Sequence, residues 1–330
     1  MRLKQIINIR HWQERKLSVG HGTRDKVVLK MTNKGKVYFI AKTYHKDIGE
    51  LRSEVCASNI GRLFGFSVQR TWLCKAPQYR KLGLRHSSCV LIQLDVRRQR
   101  YTKRNQFREN LIHGGALISE INKKFSRLKS DAEGRKFYTL ELVIEALRQY
   151  VRKNSEAAIV WQQFFDMLTL DALIGGTDRH YNNWGILEKA DEGKFLRLAP
   201  AFDNGISLLW KENHADFFTQ DIMRNSFSQN FPRRARSIFK KNGIGNYTLY
   251  ELLEVLYSIP EYRNTKLATN ILSRISAVSG SQINRVLLLN IPQKVRFKTD
   301  KRRLGLISQY VKIRLEILKM TLSVLAQKYD

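Results

Sequence analysis

Short alternating stretches of hydrophobic residues dominate the first 95 positions. Residues 27–31 and 37–42 are rich in valine and aromatic side chains, with Asn33-Lys34-Gly35-Lys36 between them. Two β-prone runs around a glycine-containing turn predict a hairpin. Over residues 50–64 the period changes: Leu51, Val55, Ile60 and Leu63 recur near helical spacing, and Gly65 supplies a stop. Residues 68–73 and 89–94 return to strand character.

Beyond Asp95 the pattern is mainly helical. Residues 138–151 place Leu140, Val143, Ile144 and Leu147 on one face, and residues 304–327 repeat Leu, Ile and Val at helical intervals. Residues 157–174 are longer and more apolar, which predicts a central buried helix. One short hairpin interrupts this half, with strands at 184–187 and 195–198. There is no internal repeat and no low-complexity segment, and five prolines are too few for a proline-rich linker. The expected fold class is α+β, with a small β-rich lobe over residues 1–95 and a larger helical lobe over 96–330. Ligands often sit where two such parts meet.

Composition agrees with a globular chain: 330 residues, 43% hydrophobic and 10% aromatic. No apolar run reaches the roughly 18–20 residues that span a bilayer, so no transmembrane segment is expected. Residues 1–16 carry basic side chains without a following apolar core, which argues against a signal peptide. Cys56, Cys74 and Cys89 have no close pairing, and three reduced, half-buried thiols in a cytoplasmic protein are expected. Secretion into a host cell by a route without such a peptide stays compatible with this pattern.

Charge changes the picture more. Lys and Arg number 59 against 29 acids, a formal net charge of +30. Such a field attracts polyanions, and RNA, DNA, an acidic protein or an anionic membrane surface all fit. A solvated basic surface fits as well.

Phosphoryl transfer needs a carboxylate near the attacking oxygen, oxygen ligands for Mg²⁺ and a cation on the triphosphate. Gly175-Gly176 releases the apolar helix, Asp178 follows, and Asn183 lies five residues later. An aspartate with an asparagine at +5 is the spacing of a kinase base and a Mg²⁺ ligand. After the short hairpin comes Asp203 in Ala201-Phe202-Asp203-Asn204-Gly205, a carboxylate at a tight glycine turn where a main metal ligand belongs. Each piece alone is an ordinary turn former; their order points to a kinase site.

Gly176-Thr177-Asp178-Arg179-His180-Tyr181-Asn182-Asn183-Trp184 resembles the catalytic loop of the HipA-like kinases, and Pro200-Ala201-Phe202-Asp203-Asn204-Gly205 resembles their metal-binding motif. The resemblance covers most of residues 15–210 and is nearest to the short CtkA-type and HipT-type members. Many family members have asparagine where this chain has Gly176. The resemblance implies an ATP- and Mg²⁺-dependent serine/threonine protein kinase of bilobal fold, acting as a toxin or effector. It makes Asp178 the catalytic base, with His180 bracing the catalytic loop, and Asn183 and Asp203 the metal ligands. Lys42 becomes the strand lysine on the nucleotide phosphates, paired with Glu54 on the following helix. Gln93 and Asp95 fall at the adenine-binding hinge. Residues 18–26 fall at the phosphate loop, with Gly20 and Gly22. Ser18 is the autophosphorylation candidate there, with Thr23 behind it. An antitoxin, and an acidic or nucleic-acid-associated protein substrate, are the partners implied.

Two other readings fit parts of the pattern. Phosphoinositide kinases share an Asp-Arg-His-x-x-Asn type of loop, and a basic chain suits an anionic membrane, although no clear amphipathic membrane helix accompanies it. A basic nucleic-acid-binding protein on an inactive kinase scaffold would use the clusters at 97–108, 233–241 and 294–303. No helix-turn-helix, zinc-finger or RNA-recognition signature supports it, and every chemical residue of the kinase site is present.

Overall fold

The structure is a computed structural model that describes residues 13–15, 26–30, 38–42, 48–75, 89–94, 109–126, 131–211, 235–241, 245–263, 265–289 and 301–330. The predicted turn at 33–36, the candidate phosphate-loop residues Ser18, Gly20, Gly22 and Thr23, the hinge residue Asp95 and the lobe boundary at 95/96 lie outside the described residues.

The alternating stretches near the start form an antiparallel sheet. Its strands are β1 (Gln13–Arg15), β2 (Lys26–Lys30), β3 (Tyr38–Lys42), β4 (Thr71–Lys75) and β5 (Cys89–Leu94), in the order β1-β2-β3-β5-β4. β2 and β3 pair antiparallel as the hairpin pattern predicts. The strand expected over 68–73 begins only at Thr71. Val68 instead makes an isolated parallel bridge to Ala201, with Gln69 N–H donating to the Ala201 carbonyl and Ala201 N–H to that of Ser67, each at 2.9 Å. That bridge ties the segment entering the sheet to the residue two before Asp203.

Between β3 and β4 runs α1 (Ile48–Leu63). Its sequence suggests one apolar face, yet polar Ser53, Glu54, Ser58 and Asn59 are buried with Leu51, Val55 and Ile60. A helix covered on all sides must satisfy its polar groups inside the protein. Ser58 Oγ donates to the Gln69 carbonyl at 2.7 Å, and Asn59 Nδ2 to that of Leu289 at 2.8 Å.

The larger part begins with β6 (Glu109–His113), which the sequence pattern did not predict. It pairs with β7 (Gly185–Lys189), and β7 with β8 (Phe195–Leu198), to give a three-stranded antiparallel sheet. Helices follow in order: α2 (Gly114–Ile121), α3 (Lys123–Ser126), α4 (Asp131–Phe137), α5 (Leu140–Lys153) and, after a 3₁₀ turn at Ser155–Ile159, α6 (Val160–Ile174). An unpredicted hairpin, β9 (Arg236–Lys241) with β10 (Gly245–Thr248), sits where helix was expected. Its inward residues Ser237, Phe239 and Tyr247 are buried, and Phe239 stacks on Tyr138 at 4.8 Å. Among the described residues the remaining α-helices are α7 (Leu249–Tyr257), α8 (Leu267–Ser276), α9 (Gly280–Leu287) and the long α10 (Lys301–Tyr329).

α6 is the axis of the core: Phe164, Phe165, Leu168, Leu170 and Leu173 are all fully or nearly fully buried. By length and composition Ser155–Ile174 is long and apolar enough to cross a membrane, although it holds no unbroken apolar run of that length. The short polar interruptions Gln162, Gln163 and Asp166 hide it from a count of consecutive apolar residues. Most of the stretch is buried inside the protein, as a core helix is.

Cys56 and Cys74 are fully buried, not half-buried as expected. The side chain of Cys89 is outside the described set. Burial pushes the Cys56 thiol up to about 12, with Arg52 pulling weakly the other way. Since the thiolate is the reactive form, Cys56 in native protein is expected to resist iodoacetamide at mildly alkaline pH and to react only after denaturation. Peptide mass spectrometry checks this, and rapid native labelling would mean that α1 opens from its seat.

Candidate active site

The candidate catalytic-loop residues emerge from the end of α6. Gly175 closes the helix in the left-handed conformation at φ 69°, a backbone geometry suited to glycine. Gly176 N–H then donates to the Asp171 carbonyl at 2.9 Å. The loop folds on itself: His180 N–H donates to the Asp178 carbonyl at 2.9 Å, and Asn183 N–H to that of His180 at 2.8 Å. Asn183 Nδ2 donates to the Asp178 carbonyl at 2.7 Å. With its amide nitrogen so engaged, Asn183 presents Oδ1 as the atom suited to a hard cation. His180 Nδ1 accepts from Asn182 N–H at 3.2 Å, and its Nε2 lies 3.9 Å from Asp178 Oδ2. That is a loop-bracing position beside the carboxylate.

Asp203 occupies the left-handed region at φ 57°. A non-glycine residue held there stores backbone strain, and such strain is often kept at functional sites. Lys42 Nζ, at the end of β3, meets Asp203 Oδ1 at 3.2 Å, joining the sheet to the turn after β8. Glu54, fully buried on α1, feels both charges. Burial pushes its carboxyl up to about 7; Lys42 pulls it down, Asp203 pushes it up, and the Asn204 N–H and Arg179 pull it down. Lys42, Glu54 and Asp203 thus form one polar cluster, and Asn183 is tied to Asp178 in the neighbouring loop. Gln93 lies in the register of β5 between Ile40 and Thr71, and its side chain is outside the described set.

The residue that joins the two motifs is one to which sequence reasoning assigned no role. Arg179 is buried, and its Nε and Nη2 form a fork on Asp171 of α6 at 2.9 and 2.7 Å. Nη1 donates to the carbonyls of Asn183 and Phe202 at 2.9 and 2.7 Å, and Nη2 to Asn204 Oδ1 at 2.6 Å. One guanidinium therefore holds the helix, the catalytic loop and the metal-motif turn together. Burial pulls this guanidinium down in pKa, but Asp171, Glu54 and Asp203 outweigh it and raise it, so it stays charged. Burial raises Asp171, against the pull of Arg179. A carboxylate in a strongly apolar helix was the available signal. Gly176 is part of the same packing, because a Cβ there would stand 2.8 Å from Asp171 Oδ1. The chain thus has its loop support in the Asp171–Arg179 pair.

Two further contacts fix the turn. Ser53 Oγ on α1 donates to the Ser207 carbonyl at 2.7 Å, and Ser207 Oγ donates to that of Asn204 at 2.7 Å. Leu208 and Leu209 both have positive φ, 49° and 56°. Arg303 of α10 holds the chain that follows, with Nη2 2.6–2.9 Å from the carbonyls of Leu209, Trp210 and Lys211. Arg303 belongs to one of the basic clusters considered for nucleic acid, and so does Arg236, whose Nη1 lies 3.6 Å from Glu251 Oε2. Both serve internal contacts.

A family model described as the HipA-like C-terminal domain matches residues 17–254. The serine/threonine-protein kinase CtkA of Helicobacter pylori is 34% identical over 95 residues, and that match spans only 27% of either chain. The crystal structure of a Helicobacter pylori proinflammatory kinase, CtkA, superposes with a TM-score of 0.67 at 19% identity, covering 97% of this chain and 98% of that one. The HipA of Shewanella oneidensis MR-1, solved as a toxin–antitoxin complex with HipB and operator DNA, gives a TM-score of 0.55 at 12% identity over 95% of this chain and 68% of that one. The α+β, bilobal kinase-like fold expected from the sequence is the observed one. With more than half of its length matched, the chain belongs to the HipA-like C-terminal domain family.

Proposed function

We propose that this chain is an ATP- and Mg²⁺-dependent protein kinase that phosphorylates serine or threonine hydroxyls. The observation that carries the reading is the Lys42–Asp203 contact at 3.2 Å, a strand lysine on a carboxylate in a strained turn. Arg179 couples that turn to the loop bearing Asp178 and Asn183. Lys42 holds the nucleotide phosphates, and Glu54 keeps Lys42 in place. Asn183 Oδ1 and Asp203 are the residues that would hold Mg²⁺, which neutralises phosphate charge when bound. Asp178 orients the attacking hydroxyl and takes its proton. His180 holds the loop backbone behind it. The N-lobe boundary near residue 95, the adenine contacts of Gln93 and Asp95, the phosphate loop with Gly20 and Gly22, and autophosphorylation at Ser18 or Thr23 belong to the same proposal. So do cytoplasmic action as a toxin or effector, an antitoxin partner and an acidic protein substrate. The relative solved with HipB and DNA supports the antitoxin part by analogy alone.

The test is transfer of label from ATP in the presence of Mg²⁺, offered to the chain itself, to a mixed protein substrate and to phosphoinositide vesicles. Label on serine or threonine of protein is the expected result, with phosphopeptide mapping reporting on Ser18 and Thr23. Label on lipid alone would replace this reading by the lipid-kinase one. No transfer to any acceptor, with no nucleotide binding, would end the kinase reading.

A further inference from the structure

Arg135 reaches the site from outside both motifs. It lies on α4, and its Nη1 stands 3.0 Å from Asp178 Oδ1. The Arg135 side chain is 42% exposed and that of Asp178 17%, so the pair opens toward solvent on the arginine side. Its placement is built into the packing. Gly134 lies against Tyr181 of the catalytic loop so closely that a Cβ there would stand 2.5 Å from the Tyr181 hydroxyl. Tyr181 in turn is wedged edge-on between Phe125 and Tyr138, at ring-centroid distances of 5.0 and 5.8 Å. A glycine at 134 lets α4 close onto the loop, and the next residue then falls beside Asp178.

Chemistry gives this contact a purpose, if the kinase reading on which it rests holds. The reaction forms a bond between the substrate oxygen and the γ-phosphorus and breaks the bond to the β,γ-bridging oxygen. ADP leaves with that electron pair, and the hydroxyl proton goes to the Asp178 carboxylate. The migrating phosphoryl group is anionic and must pass close to a second anion, Asp178. Lys42 stands at the other carboxylate, Asp203. A planar guanidinium has five donors, and among the described residues Arg135 pairs with Asp178 through Nη1, which leaves donors for phosphoryl oxygens.

We infer that Arg135 is a catalytic residue that bridges Asp178 and the transferring phosphoryl group, an arginine supplied in cis by α4. It moves no proton; it offsets the charge that gathers between base and phosphoryl group, where a preformed donor lowers the barrier most.

The full chain carrying Arg135→Ala, Arg135→Gln or Arg135→Lys tests this. Arg135→Ala is expected to lower kcat for phosphoryl transfer about 10²-fold, with nucleotide affinity and thermal midpoint close to wild type. Added guanidinium, below denaturing concentration, is expected to restore part of the Arg135→Ala rate. Arg135→Lys keeps the charge without the fork and should fall between. Wild-type kcat in Arg135→Ala or Arg135→Gln overturns the inference. A rate loss that guanidinium does not rescue and that follows a lowered thermal midpoint also overturns it, by marking Arg135 as structural. If the wild-type chain itself transfers nothing, the kinase reading fails first and takes this inference with it, an outcome distinct from an active wild type with an indifferent Arg135.

Discussion

Replacing Arg179 by alanine is expected to lower stability by about 3–5 kcal/mol, the cost of leaving a buried carboxylate without its partner. Asp171 and Arg179 are both nearly free of solvent, so water cannot take over the lost role. Most of the damage should come from Asp171 rather than from the missing arginine contacts. Arg179→Met combined with Asp171→Leu removes both charges and is expected to recover much of the stability, as apolar replacement of buried ion pairs often does. It should not recover phosphoryl transfer. The carbonyls of Asn183 and Phe202 and the Asn204 side chain would still lack the guanidinium that binds them to one another. Denaturant unfolding of the two variants, run beside the transfer assay, separates the two roles. A loss below about 1 kcal/mol in Arg179→Ala, the range of an exposed pair, would mean that the pair is not isolated from water.

The parts of the fold that follow local rules were legible in the sequence. β5 over Cys89–Leu94 and β8 over Phe195–Leu198 match the runs that predict them, because their residue choices agree with their environment. β6 was hidden because it buries a charge. Glu109 faces inward and is held by Arg197 through two hydrogen bonds at 3.0 and 2.7 Å, so the strand lacks the apolar run that pattern reading needs. The β9–β10 hairpin was hidden for another reason: its basic residues break up the hydrophobic alternation of β9. Its signal was present in Asn242-Gly243, a dipeptide favoured in tight hairpin turns, with Phe239 and Tyr247 on either side.

The site divides in the same way. Asp178, Asn183 and Asp203 carry their meaning in spacing along the chain. Arg179 and Arg135 carry theirs in partners, Asp171 and Asp178, that only the folded chain supplies. A long-range pair between unlike elements leaves no period to detect. Ser53 illustrates the limit: it looks like an ordinary polar position of α1, yet its hydroxyl holds the turn at Ser207.

Asp203→Ala and Asp203→Asn together test the metal-motif assignment, and both are expected to lower phosphoryl transfer about 10³-fold, equivalent to roughly 4 kcal/mol of barrier. The two differ in what else they change. Asp203 sits at φ 57°, where asparagine is tolerated and alanine is strained by about 1–2 kcal/mol. Asparagine should therefore keep wild-type stability while removing the charge, and alanine should lose activity and some stability together. Both leave Lys42, nearly buried, with Glu54 as its neighbouring carboxylate, so nucleotide phosphates keep their cation. ATP binding measured without Mg²⁺ should accordingly change little in Asp203→Asn, while the enhancement of binding by Mg²⁺ disappears. An asparagine variant that transfers phosphate within tenfold of wild type, or that still shows that enhancement, would remove Asp203 from the metal site and leave Lys42–Asp203 as a structural pair.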